Sequence, residues 1–153
     1  MNKIIIGCMA GLIVFVMSAC GKVKTGPEDI RFDREICYTC SMIISNPAFA
    51  AEVRGGEDMK LYKFGDFGEA VLFLEDKGWG ENAELWVMDM DDKITWLDAR
   101  NVHYRVGVVT PMDYGLGAIA KDEKGALDYQ AAVKHIHMRQ QQLKNPMHKH
   151  EGH

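Results

Sequence analysis

The first twenty residues set the terms for everything that follows them. One positive charge, Lys3, precedes an uncharged apolar run from Ile4 to Val16, which leads into Met17-Ser18-Ala19-Cys20. Charge, apolar stretch and small residues in that order are the grammar of a cleavable secretory signal. The run is about 13 residues, short of the ~20 that a helix needs to cross a bilayer, so a permanent transmembrane anchor is the weaker reading. Removing 19 of the 153 residues leaves 134, enough for one ordinary domain or two small halves around a shared core.

Ser18-Ala19-Cys20 resembles the lipobox of bacterial lipoproteins, in which the chain is cut before the cysteine and the thiol is lipidated; Met17 stands where leucine is usual. Ordinary cleavage after Ala19 with an unmodified cysteine is the alternative. The resemblance implies a lipid anchor on Cys20 and a body facing the periplasm. Gly21, standing where aspartate favours inner-membrane retention, points to the outer membrane of a Gram-negative cell. With Cys8 in the leader and Cys20 lipidated, Cys37 and Cys40 remain as the thiols of a chain with four cysteines, which rules out a disulfide framework. The formal net charge is −4 and no basic block occurs, so nucleic acid is set aside as a partner.

Residues 20–35, with Gly26, Pro27 and mixed charges, read as a lipidated cysteine and flexible tether. A body over 36–143 follows, divided near residue 90. Phe49 to Arg54 and Met59 to Phe64 predict a hairpin around Gly55-Gly56-Glu57-Asp58. Asp66 caps a predicted helix, with Glu69 placed as in a capping box and an apolar face of Phe67, Ala70, Val71, Phe73 and Leu74. Glu84 to Met90 and Ile94 to Leu97 predict a second hairpin, Val102 to Val109 and Gly115 to Lys121 two more strands, and Ala126 to Gln142 a last helix. Residues 144–153 form a His- and Met-containing tail that reads as disordered without metal. A faint repeat is visible: Cys40-Ser41-Met42 precedes one strand, and Thr110-Pro111-Met112 another.

Cys37-Tyr38-Thr39-Cys40-Ser41-Met42 is the densest chemical cluster. Thiolate and thioether are soft donors and select Cu(I) over hard cations, whereas Zn(II) would recruit more thiolates or imidazoles. The alternatives are a structural disulfide or a thioredoxin-like redox pair, although Pro47 leaves no helix start after Cys40. Thr110-Pro111-Met112 offers a methionine in a turn, where it serves either as a ligand or as packing. His135, Met138, His148, His150 and His153, together with Cys37, are secondary candidates; His135 and His137 point about 200° apart on a helix and cannot chelate one ion. Met59, Met88 and Met90 fall in predicted strands and read as core or sheet surface. No Gly-rich phosphate loop, Gly-x-Ser-x-Gly elbow or His-Glu-x-x-His occurs, so no enzyme signature is present.

Together these motifs resemble the NosL family, the nitrous-oxide reductase accessory lipoproteins. The resemblance runs from Ile36 to about Ala132, through Cys40-Ser41-Met42, the helix region Phe64 to Leu74, Trp86-Val87-Met88-Asp89, Trp96-Leu97-Asp98-Ala99 and Thr110-Pro111-Met112. It implies an α+β fold of two small similar halves, strand-strand-helix-strand in type, sharing one compact body. It further implies a non-enzymatic copper metallochaperone with Cys40, Met42 and Met112 as Cu(I) ligands. Nitrous-oxide reductase or its maturation proteins would be the partners. Ser41 stands where the family has glycine, and Asp113 where glycine commonly follows Thr-Pro-Met. The rival readings are an extracytoplasmic thiol-disulfide oxidoreductase using Cys37 and Cys40, and a copper-sequestering lipoprotein unrelated to nitrous oxide.

Every motif lies beyond the tether, so the chain expressed without residues 1–20, or carrying Cys20→Ala, is expected to be soluble and folded. Fractionation checks this, and retained membrane association would refute the lipid anchor.

Overall fold

The computed structural model of the chain describes residues 23–145. Asp66, in extended backbone with φ −147° and ψ 136°, accepts the Gly68 N–H at 3.0 Å and starts helix α1, Phe67–Glu75. Phe67, Ala70, Val71, Phe73 and Leu74, the face read from the sequence, are all buried. They lie against a four-stranded antiparallel sheet of β1 (Ala51–Gly55), β2 (Lys60–Phe64), β3 (Glu84–Met88) and β4 (Trp96–Asp98), in the order β2-β1-β3-β4. Both hairpins form where the turn residues placed them, with Gly55 opposite Lys60 and Met88 opposite Trp96. Met88 belongs to the core, whereas Met59 lies in the turn before β2.

All five residues of β1 are buried, which alternation alone does not produce. Ala51 and Val53 face the core; Glu52 and Arg54 point the other way and are covered by the preceding segment. Arg54 donates to the Gly26 carbonyl at 2.9 Å and pairs with Glu28 at 2.9 Å, while the Glu28 N–H reaches Glu52 at 2.8 Å. Ile30 enters the core. The body therefore begins before Ile36, and the tether expected to run to residue 35 is docked from Gly26 onward. The cause is the polar face of the central strand, whose charges must be hydrogen-bonded once buried.

In the second half, β5 (His103–Val106) and β6 (Leu116–Ile119) pair antiparallel, and helix α2, Tyr129–Lys144, follows. Leu127, expected inside that helix, instead exchanges two backbone hydrogen bonds with Tyr104, at 2.8 and 2.9 Å. The helix starts only after Asp128, whose side chain accepts the Ala131 N–H. β5 stops at Val106 because Gly107 takes φ +82° and turns the chain. Stacking of Phe67 on Tyr104, centroids 4.5 Å apart, joins α1 to this half. The class is α+β: β1-β2-α1-β3 is strand-strand-helix-strand, followed by β4 on the same sheet and then β5-β6-α2. Among the described residues no helix is long and apolar enough to cross a membrane. The leader, Cys20 and the tail with His148, His150 and His153 lie outside the described residues.

Glu52 is fully enclosed; its Oε1 has no hydrogen-bond partner among the described residues, and Lys63 Nζ stands 3.9 Å away. Burial pushes its carboxyl up to about 7, against the pull of the Glu28 N–H and of Lys63. The native state thus holds this proton more tightly than the unfolded chain does. The group's contribution to stability is full at low pH and falls as pH rises towards 7. Urea unfolding from pH 5 to 8 should reveal that decline, and Glu52→Gln should flatten it.

Candidate metal centre

Residues 36–43 form a small hairpin, closed by a bridge between Ile36 and Ile43 and by the Cys37 N–H on the Met42 carbonyl at 2.8 Å. At its tip the Ser41 N–H reaches the Cys37 carbonyl at 3.1 Å, a turn that Ser41 completes with φ +60°. Tyr38 docks the hairpin: its N–H bonds the Lys63 carbonyl, and its ring lies 4.8 Å from Tyr62 and 5.3 Å from Phe73, centroid to centroid. Exposure grades along the loop, from Cys37 at 2% through a half-buried Cys40 to Met42 at 46%.

Glu69, in the first turn of α1, faces this hairpin. It accepts the Cys37 thiol at 3.1 Å on one oxygen and the Thr39 hydroxyl at 2.7 Å on the other. The ligand atoms of Cys37, Cys40 and Glu69 all lie within 4.8 Å of one another. Burial pushes the Cys40 thiol up to about 12; Cys37 and Glu69 add to the rise, and a hydrogen bond from the Met42 backbone opposes it. At neutral pH Cys40 is therefore a protonated, weakly nucleophilic thiol, and a bound cation must displace its proton.

Sequence reasoning placed Glu69 in a capping box and so missed it as part of the site. The Asp66 side chain caps Gly68, the Glu69 N–H goes to the Asp66 carbonyl, and the Glu69 carboxylate is left for the thiols. One signal was available: Glu69 precedes Phe73 by four residues, which puts it on the buried stripe of the helix.

The Thr110–Gly115 loop reaches the same helical turn from the other half. The Met112 N–H donates to Asp66 Oδ2 at 3.0 Å, and the ring of Tyr114 lies so close to Gly68 that an added Cβ would stand 2.3 Å from it. From α2, Arg139 donates to the carbonyl and carboxylate of Asp113, the latter at 2.6 Å. His135 Nε2 stands 3.0 Å from the Tyr114 carbonyl, which can only accept, so this nitrogen carries the proton. Asp66 is wholly buried, which raises its carboxyl above the ordinary range despite hydrogen bonds from Thr110, Gly68 and Met112.

The cysteine hairpin with Cys37, Cys40 and Met42 and the loop with Met112 are thus both seated on the first turn of α1. Neither histidine of α2 joins them: His135 supports the Met112 loop, and His137 bonds Glu75 at 2.8 Å. Met138 is half exposed on α2.

No family model matches the chain, and no curated protein does. Among solved structures, the crystal structure of the copper chaperone NosL from Shewanella denitrificans matches with a TM-score of 0.56 and 18% identity, covering 72% of this chain and 88% of that one. The chain has a NosL-like fold. At Ser41 and Asp113, the two places where the sequence departs from the glycines of the NosL pattern, the backbone is left-handed, with φ +60° and +61°. The conformation that glycine would favour is kept with side chains present. Asp113 is supported there by Arg139, whereas the Ser41 side chain has no hydrogen bond among the described residues. Ser41→Gly is accordingly expected to stabilise the protein by about 0.5–1 kcal/mol, measured by urea unfolding.

Proposed function

We propose that this chain is a Cu(I) carrier that passes its ion to a partner protein without catalytic turnover. The observation that supports it is the meeting of two loops, rich in soft donors and distant in sequence, on one turn of α1. Cys40 supplies charge and covalency, Cys37 a second sulfur beside it, and Met42 and Met112 polarisable thioethers; Cu(I) prefers such a set to hard oxygen donors. Glu69, a hard donor, is assigned to holding the Cys37–Thr39 segment.

In this reading the carrier is tethered by lipid on Cys20 and faces the periplasm. Its client is nitrous-oxide reductase or a protein that matures it, by analogy with the family the motifs resemble. Transfer proceeds by ligand exchange, because a site of two to four sulfurs open on the Met42 side admits an incoming ligand while the ion is still held. The raised Cys40 thiol weighs against thiol-disulfide exchange, which depends on an accessible thiolate.

Anaerobic titration of the purified protein with Cu(I) against a chromogenic chelator tests the proposal. One tight equivalent is expected. Cys40→Ser should weaken it most, by about a hundredfold or more, Cys37→Ser less, and Met42→Leu and Met112→Leu each by about tenfold. Failure of the parent protein to compete for Cu(I) would overturn the reading.

A further inference from the structure

We propose that Asp66 is a positioning residue for the metal site: its buried carboxylate sets the Met112 loop against the cysteine hairpin. The inference rests on the Cu(I)-carrier reading and adds to it a residue that touches no ion.

Capping a helix needs one acceptor, and serine, threonine or asparagine supplies it as well as aspartate does. Asp66 uses Oδ1 for that purpose, on the Gly68 N–H at 3.0 Å. Its second oxygen takes the Met112 N–H, also at 3.0 Å, from 46 residues further along the chain. The Thr110 hydroxyl is the third donor. No salt bridge reaches Asp66 among the described residues, although its side chain is completely buried. Burying a carboxylate is costly unless hydrogen bonds compensate, and two of the three that do so come from Thr110-Pro111-Met112. The motif and the aspartate are complementary: a hydroxyl and a backbone N–H converge on one carboxylate, and the proline between them has a fixed φ.

The rest of the loop is held to match. Gly68, next to the cap, leaves room for the Tyr114 ring, while α2 fixes Asp113 through Arg139 and Tyr114 through His135. Three residues after Asp66, about 4.5 Å along the axis, Glu69 holds Cys37 and Thr39. The spacing between the Met112 loop and the hairpin is thereby set by one turn of rigid helix rather than by either loop.

The experiment is a double-mutant cycle on the full-length protein, read by Cu(I) competition and by the number of sulfurs around copper in X-ray absorption. Asp66→Asn keeps the cap but turns an amide donor towards the Met112 N–H. Thr110→Val leaves the cap intact and removes one donor to Asp66, which keeps the test open should the first variant not fold; circular dichroism and thermal unfolding establish folding. Asp66→Asn is expected to lower Cu(I) affinity by the same factor as Met112→Leu, on the order of tenfold. Each should remove one sulfur from the copper shell, and the double variant should lose no more than either single one. Thr110→Val should shift affinity in the same direction by less.

Folded Asp66→Asn or Thr110→Val protein with parental affinity and sulfur count would overturn the proposal, as would losses that multiply in the double variant. If Met112→Leu changes neither readout, Met112 is not a ligand and the positioning role falls while the carrier reading stands. If the parent protein does not bind Cu(I), both fall together.

Discussion

Two carboxylates one helical turn apart, Asp66 and Glu69, tie the parts of this molecule together. Both are buried, and each is held by hydrogen bonds from a different loop, one preceding the sheet and the other between β5 and β6. A buried acid without such donors would destabilise the fold by several kcal/mol, so the loops and the helix start stabilise one another. The apolar face of α1 explains why the helix lies on the sheet; its polar first turn explains why the sulfur-bearing loops come together above it.

A second buried polar system serves the other face of the sheet. Glu52 and Arg54 project from the central strand away from the core and are covered by Gly26 to Glu28, which leaves Glu52 with an incompletely satisfied carboxyl. Here the chemistry fastens an extended segment rather than building a site. Both systems follow one rule: where this small body encloses a charge, backbone groups from distant segments are brought in to satisfy it.

Where local chemistry decides structure, the sequence was readable. Asp66 with five apolar residues behind it specified α1, and turn residues between β-rich runs specified the β1-β2 and β3-β4 hairpins. The start of α2 was not readable, because Leu127 is held by Tyr104, a partner that only the folded chain supplies. Nor was the docking of residues 26–30, since alternation of Glu52 and Arg54 with Ala51 and Val53 looks like a solvent-facing side until something covers it. Within the site, the soft donors Cys37, Cys40, Met42 and Met112 stood out by type and spacing. Glu69 did not, because the spacing of a capping box is also the spacing that turns a carboxylate from the first helical turn towards a neighbouring loop. His135 was noticed as a donor and serves instead as a prop for Tyr114.

The gradient of exposure along the hairpin gives the site a direction. Cys37 is sealed, Cys40 is half-covered, and the Met42 thioether stands towards solvent. An ion held among them has one open flank, and an incoming ligand from another protein meets the weakest and most accessible bond first. Departure would then be sequential, the outer thioether yielding before the inner sulfurs, so that the carrier releases its cargo only when a replacement donor is already in place. Such an ordering makes spontaneous loss slow and collision-driven exchange fast, a kinetic asymmetry that comes from burial alone and asks for no moving part.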